Sequence, residues 1–363
     1  MTVILYLCTG LYLCFVLFII AGLFKHNTSA VKTNNELSKV SIVVAARNEE
    51  NNIASLIHDL IHQTYPRDKL EIIIANDRST DQTGAILNKA AEKHSYIHHI
   101  QIEECNPEMA SKKHALQQAI QRATGDIIVC TDADCQVPQT WVSSMASSVK
   151  SNGGITIGFS KIDGESFFDQ YQMIDFLSIT AANAGFGGWK VFWSGSGQNL
   201  SYEKKNFELI NGFTPVKDKI SGDDMYLVQA ISAIDGATIN IDPQSFVSTQ
   251  PVKTIKDFVN QRIRWSSNAR GNVRKKPWFF SFLFSAFLCN LALFSGFLLQ
   301  SKGIQFAFFL KFIFEGLVIF LGGRLFETPV PSLVYLTWAV VQPFYIPFIG
   351  LLGLANIYTW KPE

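Results

Sequence analysis

The chain carries almost no surplus charge. Its 31 Lys and Arg balance 30 Asp and Glu, leaving a formal net charge of +1 over 363 residues. No broad field therefore recruits nucleic acid or an acidic partner. The six cysteines (Cys8, Cys14, Cys105, Cys130, Cys135, Cys289) include no CxxC pair. That leaves no zinc-ribbon pattern and no disulfide framework, in keeping with a reducing compartment. Internal repeats and low-complexity runs are missing. No glycine-rich GxGxxG follows the first apolar strand, where Ala46-Arg47-Asn48-Glu49 stands instead, so the fingerprint of a Rossmann-type dehydrogenase is absent.

What the sequence has in excess is apolar: 48% hydrophobic residues and 29 Phe, concentrated at the two ends. Val3 to Phe24 is uncharged and long enough to span a bilayer at about 1.5 Å per residue. Its positive charges (Lys25, Lys32, Lys39) follow the apolar run instead of preceding it, which favours an uncleaved anchor over a signal peptide. Asn27 to Ser38 reads as a polar linker. Further spans are expected at Phe279 to Leu299, Ile304 to Leu321 and Leu333 to Ala355, the last bent by Pro343 and Pro347. Arg262, Arg264, Arg270, Arg274, Lys275 and Lys276 precede the first of these. Basic residues on both flanks put the middle of the chain in the cytoplasm and the carboxyl end outward. Lys311 and Glu315 lie one helical turn apart, so they can pair and face the bundle interior.

The middle of the chain alternates short apolar runs with helical patterns. Val40–Ala46, Leu70–Ala75, Ile97–Ile102 and Ile127–Cys130 read as strands, with helices between them. This alternation indicates a parallel, doubly wound α/β sheet. The central stretch is GDIIVCTDADCQVP, residues 125–138. Asp132 and Asp134 follow its buried strand, and on an extended segment i and i+2 side chains point the same way. Ligands of such sheets bind at the carboxyl ends of strands. Two adjacent carboxylates there suit a hard divalent cation, Mg²⁺ or Mn²⁺, that itself holds a diphosphate. Asp-x-Asp also occurs in solvated turns. Downstream, Phe167 to Ala182 has helical spacing and many aromatics, as a core helix or a membrane-surface helix would. Gly185 to Gly197, GFGGWKVFWSGSG, suggests a loop where backbone approaches something closely.

The ordered set VSIVVAARNEE, ANDRSTD, SKKHAL, DAD, GDD and QRIRW resembles the inverting glycosyltransferases of family 2, and within them the membrane-embedded branch. The resemblance covers residues 40–265. It implies a GT-A fold, a doubly wound mixed sheet, flanked by transmembrane helices. It implies that Asp77 and Glu49 bind the nucleoside and that Lys112, from the family's GKxxAL motif, lies near the diphosphate. Lys113 is a rival for that role. Asp132 is implied to reach ribose or metal, and Asp134 to bind the metal. Asp223 and Asp224 match the acidic pair that supplies the catalytic base, with Asp224 as the base itself. Gln261, Arg264 and Trp265 match QxxRW and fall on one helix face. There Arg264 could hold diphosphate oxygens and Trp265 could stack on a sugar. A basic helix resting on anionic lipid would look similar. Ala45 stands where the family usually has proline, Ser111 where GKxxAL has glycine, and Arg78 where a glycine usually follows the aspartate.

Together these imply a membrane anchor over residues 1–25, a cytoplasmic GT-A domain over 38–276 and about three spans over 277–363. The expected activity is a metal-dependent, inverting hexosyl transfer at the inner membrane. The donor is a nucleotide-sugar, a UDP-hexose by the uracil-type aspartate, and the acceptor a lipid or lipid-linked glycan. No nucleic acid is expected as partner, and an oligomer is compatible with the sequence. A processive polysaccharide synthase of the hyaluronan or poly-N-acetylglucosamine type is the nearest alternative, and an inactive nucleotide-binding scaffold a more distant one. Donor sugar, acceptor and number of transfers are not legible.

Overall fold

A computed structural model describes residues 1–26, 37–104, 106–268 and 277–359. The polar linker (27–36) and the basic stretch before the second apolar helix (269–276) lie outside the described residues. In chain order the main elements are α1 (Thr2–Leu23), β1 (Val40–Ala46), α2 (Ile53–Ile61), β2 (Leu70–Asp77), α3 (Thr83–Lys93), β3 (Ile97–Ile102), α4 (Ser111–Arg122), β4 (Ile127–Cys130), β5 (Cys135–Gln136) and α5 (Trp141–Asn152). They continue with β6 (Ile155–Ile157), β7 (Ser160–Ile162), α6 (Phe167–Gly187), β8 (Leu200–Glu203), α7 (Lys204–Leu209), α8 (Asp223–Asp235), β9 (Ala237–Ile239), β10 (Val247–Thr249), α9 (Ile255–Ser267), α10 (Pro277–Leu298), α11 (Ile304–Leu325) and α12 (Ser332–Leu354).

Two compact units share these elements, and each comprises more than one stretch of chain. The α/β unit takes residues 27–161 and 194–250. Its seven-stranded sheet has the order β3-β2-β1-β4-β8-β6-β9. The four strands read from the sequence pair in parallel, with Val43 beside Ile73 and Cys130. Parallel pairing is interrupted at β8, which runs antiparallel to both β4 and β6, and resumes between β6 and β9. The sheet is thus mixed, as the resemblance implied, while the alternation of strands and helices gave its parallel part. Leu200 to Glu203 alternates as LSYE, but four residues are too few to mark a strand or fix its direction. Strands β1 and β2 are buried on both faces, hence their near-continuous Val and Ile. Their core includes Leu56, Leu60, Trp141 and Met145 from the covering helices. Residues 155–162 give two short strands to different sheets: β6 joins the large sheet, while β7 joins a small one with β5 and β10.

The helical unit takes residues 1–26, 162–193 and 251–363. Helices α6 and α9, which the sequence places inside the cytoplasmic stretch, cluster here with the four apolar helices. All four of those are long and apolar enough to cross a membrane. At one end Thr2 meets Ser301 (Oγ1 to Oγ, 3.2 Å) and Tyr6 meets Phe306. At the other, α1 crosses α6 where Gly22 faces Gly185 and Gly188. A Cβ on Gly22 would lie 1.8 Å from the Gly185 carbonyl oxygen, so the glycine-rich segment does serve a close backbone approach. Midway, Lys311 Nζ donates to Glu315 Oε2 at 2.6 Å and Tyr12 OH to Glu315 Oε1 at 2.6 Å, all buried.

The carboxyl end departs from expectation. Pro343 and Pro347 lie inside α12, where each removes a backbone donor. The second half of this helix runs beside α9: Tyr345 stacks on Phe258, and a Cβ on Gly353 would touch Ser266. Thr359 and Asn260 exchange hydrogen bonds of 2.5 and 2.8 Å. Residue 359 therefore lies beside α9, not across a bilayer from it.

Candidate active site

The site is built at the carboxyl ends of β1, β2 and β4 and the amino ends of α4 and α8. The loops after β1 and β2 are laced together. Thr80 N–H donates to Asn48 Oδ1 at 2.8 Å, Asn48 N–H to Ser79 Oγ at 2.9 Å and Glu49 N–H to Thr83 Oγ1 at 2.8 Å. Asn48 and Arg78 hold φ values of 54° and 53°, the left-handed region where side chains are costly. Arg78 thus keeps the backbone shape of the glycine it replaces.

Asp77 is buried at the end of β2. Its Oδ1 accepts from Arg78 Nε at 2.9 Å, while Arg47 Nη1 stands 3.9 Å from Oδ2. Arg78 Nη2 also donates to Ser111 Oγ at 2.7 Å. Glu49 sits at the head of α2, its Oε2 accepting from Asn52 at 2.8 Å. Lys112, next to Ser111, donates to Asp132 Oδ1 at 2.7 Å. Polar contacts thus run from Asp77 through Arg78 to Ser111, and its chain neighbour Lys112 carries them on to Asp132.

Asp132 and Asp134 are not on a strand. β4 stops at Cys130 and the pair occupies a turn closed by Cys135 N–H to Asp132 O at 3.2 Å. The alternation argument for a shared face therefore does not apply. Asp132 turns toward Lys112, whereas Asp134 lies 3.7 Å from Cys135 Sγ. The two still repel. Desolvation, then the Asp132 charge, holds the Asp134 carboxyl above the usual range. No three His, Cys, Asp or Glu side chains cluster as metal ligands among the described residues, so Asp132 and Asp134 would give a divalent ion two hard oxygens, a donor type that suits Mg²⁺ or Mn²⁺ completed by phosphate and water. Burial pushes the neighbouring Cys130 thiol up to about 12, which leaves it inert as a nucleophile.

Asp223 and Asp224 occupy the first turn of α8, entered through Gly222 at φ 84°. Anionic side chains are favoured at a helix start, yet the Asp224 carboxyl is pushed up to about 6. Desolvation is the first cause and the Asp223 charge the second, opposed by the Met225 and Gly197 N–H groups and by Lys112. Burial pulls the Lys112 ammonium down, but Asp132 and Asp223 more than reverse that. Lys112, Asp132, Asp223 and Asp224 line one pocket with Gly197 and Thr131.

Gln261, Arg264 and Trp265 lie on α9, in the helical unit. Their patch has a partner that spacing did not reveal. Arg262, 4% exposed, donates through Nε to Asp175 Oδ2 at 2.6 Å and through Nη1 to Gln261 Oε1 at 2.6 Å. Its guanidinium stands 4.1 Å from the Trp265 ring centroid, and Asp175 Oδ1 accepts from Trp338 Nε1 at 3.1 Å. Nothing in the sequence pairs Asp175 with Arg262, 87 residues apart. Lys113 is the other residue missed in its true role. It turns away from Lys112 and is buried against backbone carbonyls.

A sheet of this order brings Asp77, Asp132 and the Asp223–Asp224 pair to one end of its strands. The family model described as Glycosyl transferase family 2 matches residues 41–219. The chain is similar to a "Probable glycosyltransferase YdaM" of Bacillus subtilis, 28% identical over 70% of this chain and 62% of that protein. It also resembles a beta-monoglucosyldiacylglycerol synthase of Synechocystis, 33% identical over 28% of this chain and 21% of the relative. The chain thus spans less than two thirds of the length of these relatives. Among solved structures, a mannosyltransferase of Pyrobaculum calidifontis in complex with GDP-Man and Mn²⁺ aligns over 98% of both chains, with a TM-score of 0.64 and 20% identity. This shows the shared fold.

Proposed function

We propose that this chain is an inverting, metal-dependent membrane glycosyltransferase. It moves a sugar, most simply a hexose from a UDP donor, to a lipid or lipid-linked glycan at the cytoplasmic face of the inner membrane. The observation that carries the reading is one pocket holding Asp224, Asp223, Lys112 and Asp132, with the Asp224 carboxyl raised toward neutrality. Such a carboxylate takes a proton from an acceptor hydroxyl more readily than an ordinary aspartate. The acceptor oxygen then bonds to the anomeric carbon as that carbon's bond to the donor phosphate breaks. The pair of electrons leaves on the nucleoside diphosphate, and the configuration inverts. Lys112, poised on Asp132, supplies positive charge beside the leaving group. Asp132 and Asp134 would hold a divalent ion, which spreads the charge of the departing diphosphate. Asp77, whose Oδ1 is held by Arg78, would accept from the base, with Glu49 on the neighbouring loop beside it. Gln261, Arg264 and Trp265 are assigned to the donor diphosphate and sugar.

A diacylglycerol-type acceptor is supported by the Synechocystis relative's name, and Mn²⁺ and a nucleotide-sugar by those bound to the Pyrobaculum neighbour. The buried Lys311–Glu315–Tyr12 cluster fills the interior between α1 and α11, which favours single transfer over a processive synthase. The test is nucleoside diphosphate release and product size with detergent-purified protein. UDP- and GDP-sugars are offered with membrane lipid and Mg²⁺ or Mn²⁺, beside Asp224→Asn. Release that needs metal and Asp224 supports the reading. Nucleotide binding without release from any donor would favour the inactive scaffold.

A further inference from the structure

The first turn of α4 carries two adjacent lysines with opposite destinations. Lys112 turns to Asp132. Lys113 is 1% exposed, and its ammonium donates to the carbonyl oxygens of Val216, at 3.1 Å, and Lys219. Those carbonyls belong to the loop that ends at Gly222 and delivers Asp223 and Asp224. The same helix holds this loop at further points. Phe213 N–H donates to Gln117 Oε1 at 3.1 Å, and just before the helix Ala110 N–H donates to Lys217 O at 3.4 Å. Lys217 Nζ pairs with Glu108 Oε2 at 2.5 Å on the surface. A lysine is seldom buried without carboxylate contact. Burying this ammonium is costly and lowers its pKa, while the Asp223 and Asp218 charges favour it.

We propose that Lys113 is a positioning residue: its buried ammonium fastens the 213–222 loop to α4 and so fixes the Asp223–Asp224 pair opposite Lys112 and Asp132. The step rests on the reading of Asp224 as base. Both carbonyls accept from the same ammonium, whose three donors can serve two acceptors at once. One helix start thereby sets the spacing between the charge that meets the leaving group and the carboxylate that meets the acceptor. A displacement of about 1 Å in such a pair is enough to cost on the order of 100-fold in rate.

The experiment compares Lys113→Met and Lys113→Arg with the wild-type chain in detergent. Hydrogen exchange of amides 213–222, the thermal midpoint, nucleotide affinity and the pH profile of transfer are all measured. The expected result for Lys113→Met is faster exchange confined to 213–222 and a kcat lower by about 10- to 100-fold. Donor KM should change less than about threefold, and the acid limb of the pH profile should move upward because a cation beside the acid pair is gone. Lys113→Arg should restore part of the rate. Unchanged exchange at 213–222, or an unchanged kcat in folded Lys113→Met, overturns the proposal. So does a general loss of stability that lowers kcat and donor affinity together with no shift of the acid limb. If Lys113→Met does not fold, Lys113→Arg decides alone through its exchange and pH profile. If the wild-type chain transfers no sugar, the reading of the base fails, while the exchange data still judge the tether.

Discussion

At the scale of the residue, Asp224 is held in a state that its surroundings disfavour. Its carboxyl sits at about 6 against an ordinary value of 3.8. Transfer should therefore fall about tenfold per pH unit below about 6, because a base must be unprotonated to act. Asp224→Asn should lower kcat by about 100- to 10,000-fold while leaving nucleotide affinity near its wild-type value. The same shift predicts a stability effect of definite sign. A raised carboxyl favours folding when protonated, so this contribution is full below about pH 4 and is lost as pH rises through about 6. Asp224→Asn should thus melt a few degrees higher than wild type at pH 7, and the gap should close near pH 4, as differential scanning fluorimetry can show. The positions of these acids could be read in the sequence, since each follows an apolar strand or opens a helix. The burial of Lys113 and Arg262 was not legible, because it depends on partners far along the chain.

At the scale of the element, the apolar helices were legible from length and composition, and so were the parallel strands, because burial on both faces leaves uninterrupted Val and Ile. Short strands such as β8 and β6 were not, for three or four residues hold too little pattern to fix a direction. Helix contacts give two sharper expectations. Gly22→Ala places a methyl group within 1.8 Å of the Gly185 carbonyl oxygen, so α1 and α6 must part. The loss should be about 1–3 kcal/mol, seen as a lower melting point in detergent. Lys311→Met leaves the buried Glu315 carboxylate with Tyr12 alone and should cost about 3–5 kcal/mol. The double change Lys311→Met with Glu315→Leu should recover most of that loss. If the double variant is no better than the single, the pair does not act as a unit.

At the scale of the whole molecule, composition foretold four long apolar helices, but their path depends on contacts that hydropathy does not record. Basic residues and alternation put residue 359 outside. Its hydrogen bonds with Asn260 put it beside α9 instead. A reporter fused after residue 359 should therefore read the same side as residues 255–268, and one placed at residue 300 should read the other. Chelation followed by Mn²⁺ should abolish and then restore transfer, whereas a monovalent salt should not substitute.

The α/β unit is made of two stretches, with residues 162–193 belonging to the helical unit between them. During synthesis, β4 emerges with one neighbour, β1, in place. Its second neighbour, β8, is some seventy residues away and follows α6. The sheet must wait with an open apolar edge while the intervening helix is made, and such edges invite wrong partners. Ribosomal output of this chain should accordingly be sensitive to pauses between residues 130 and 200, and a fragment ending before residue 200 should be retained by chaperones rather than released as a folded domain.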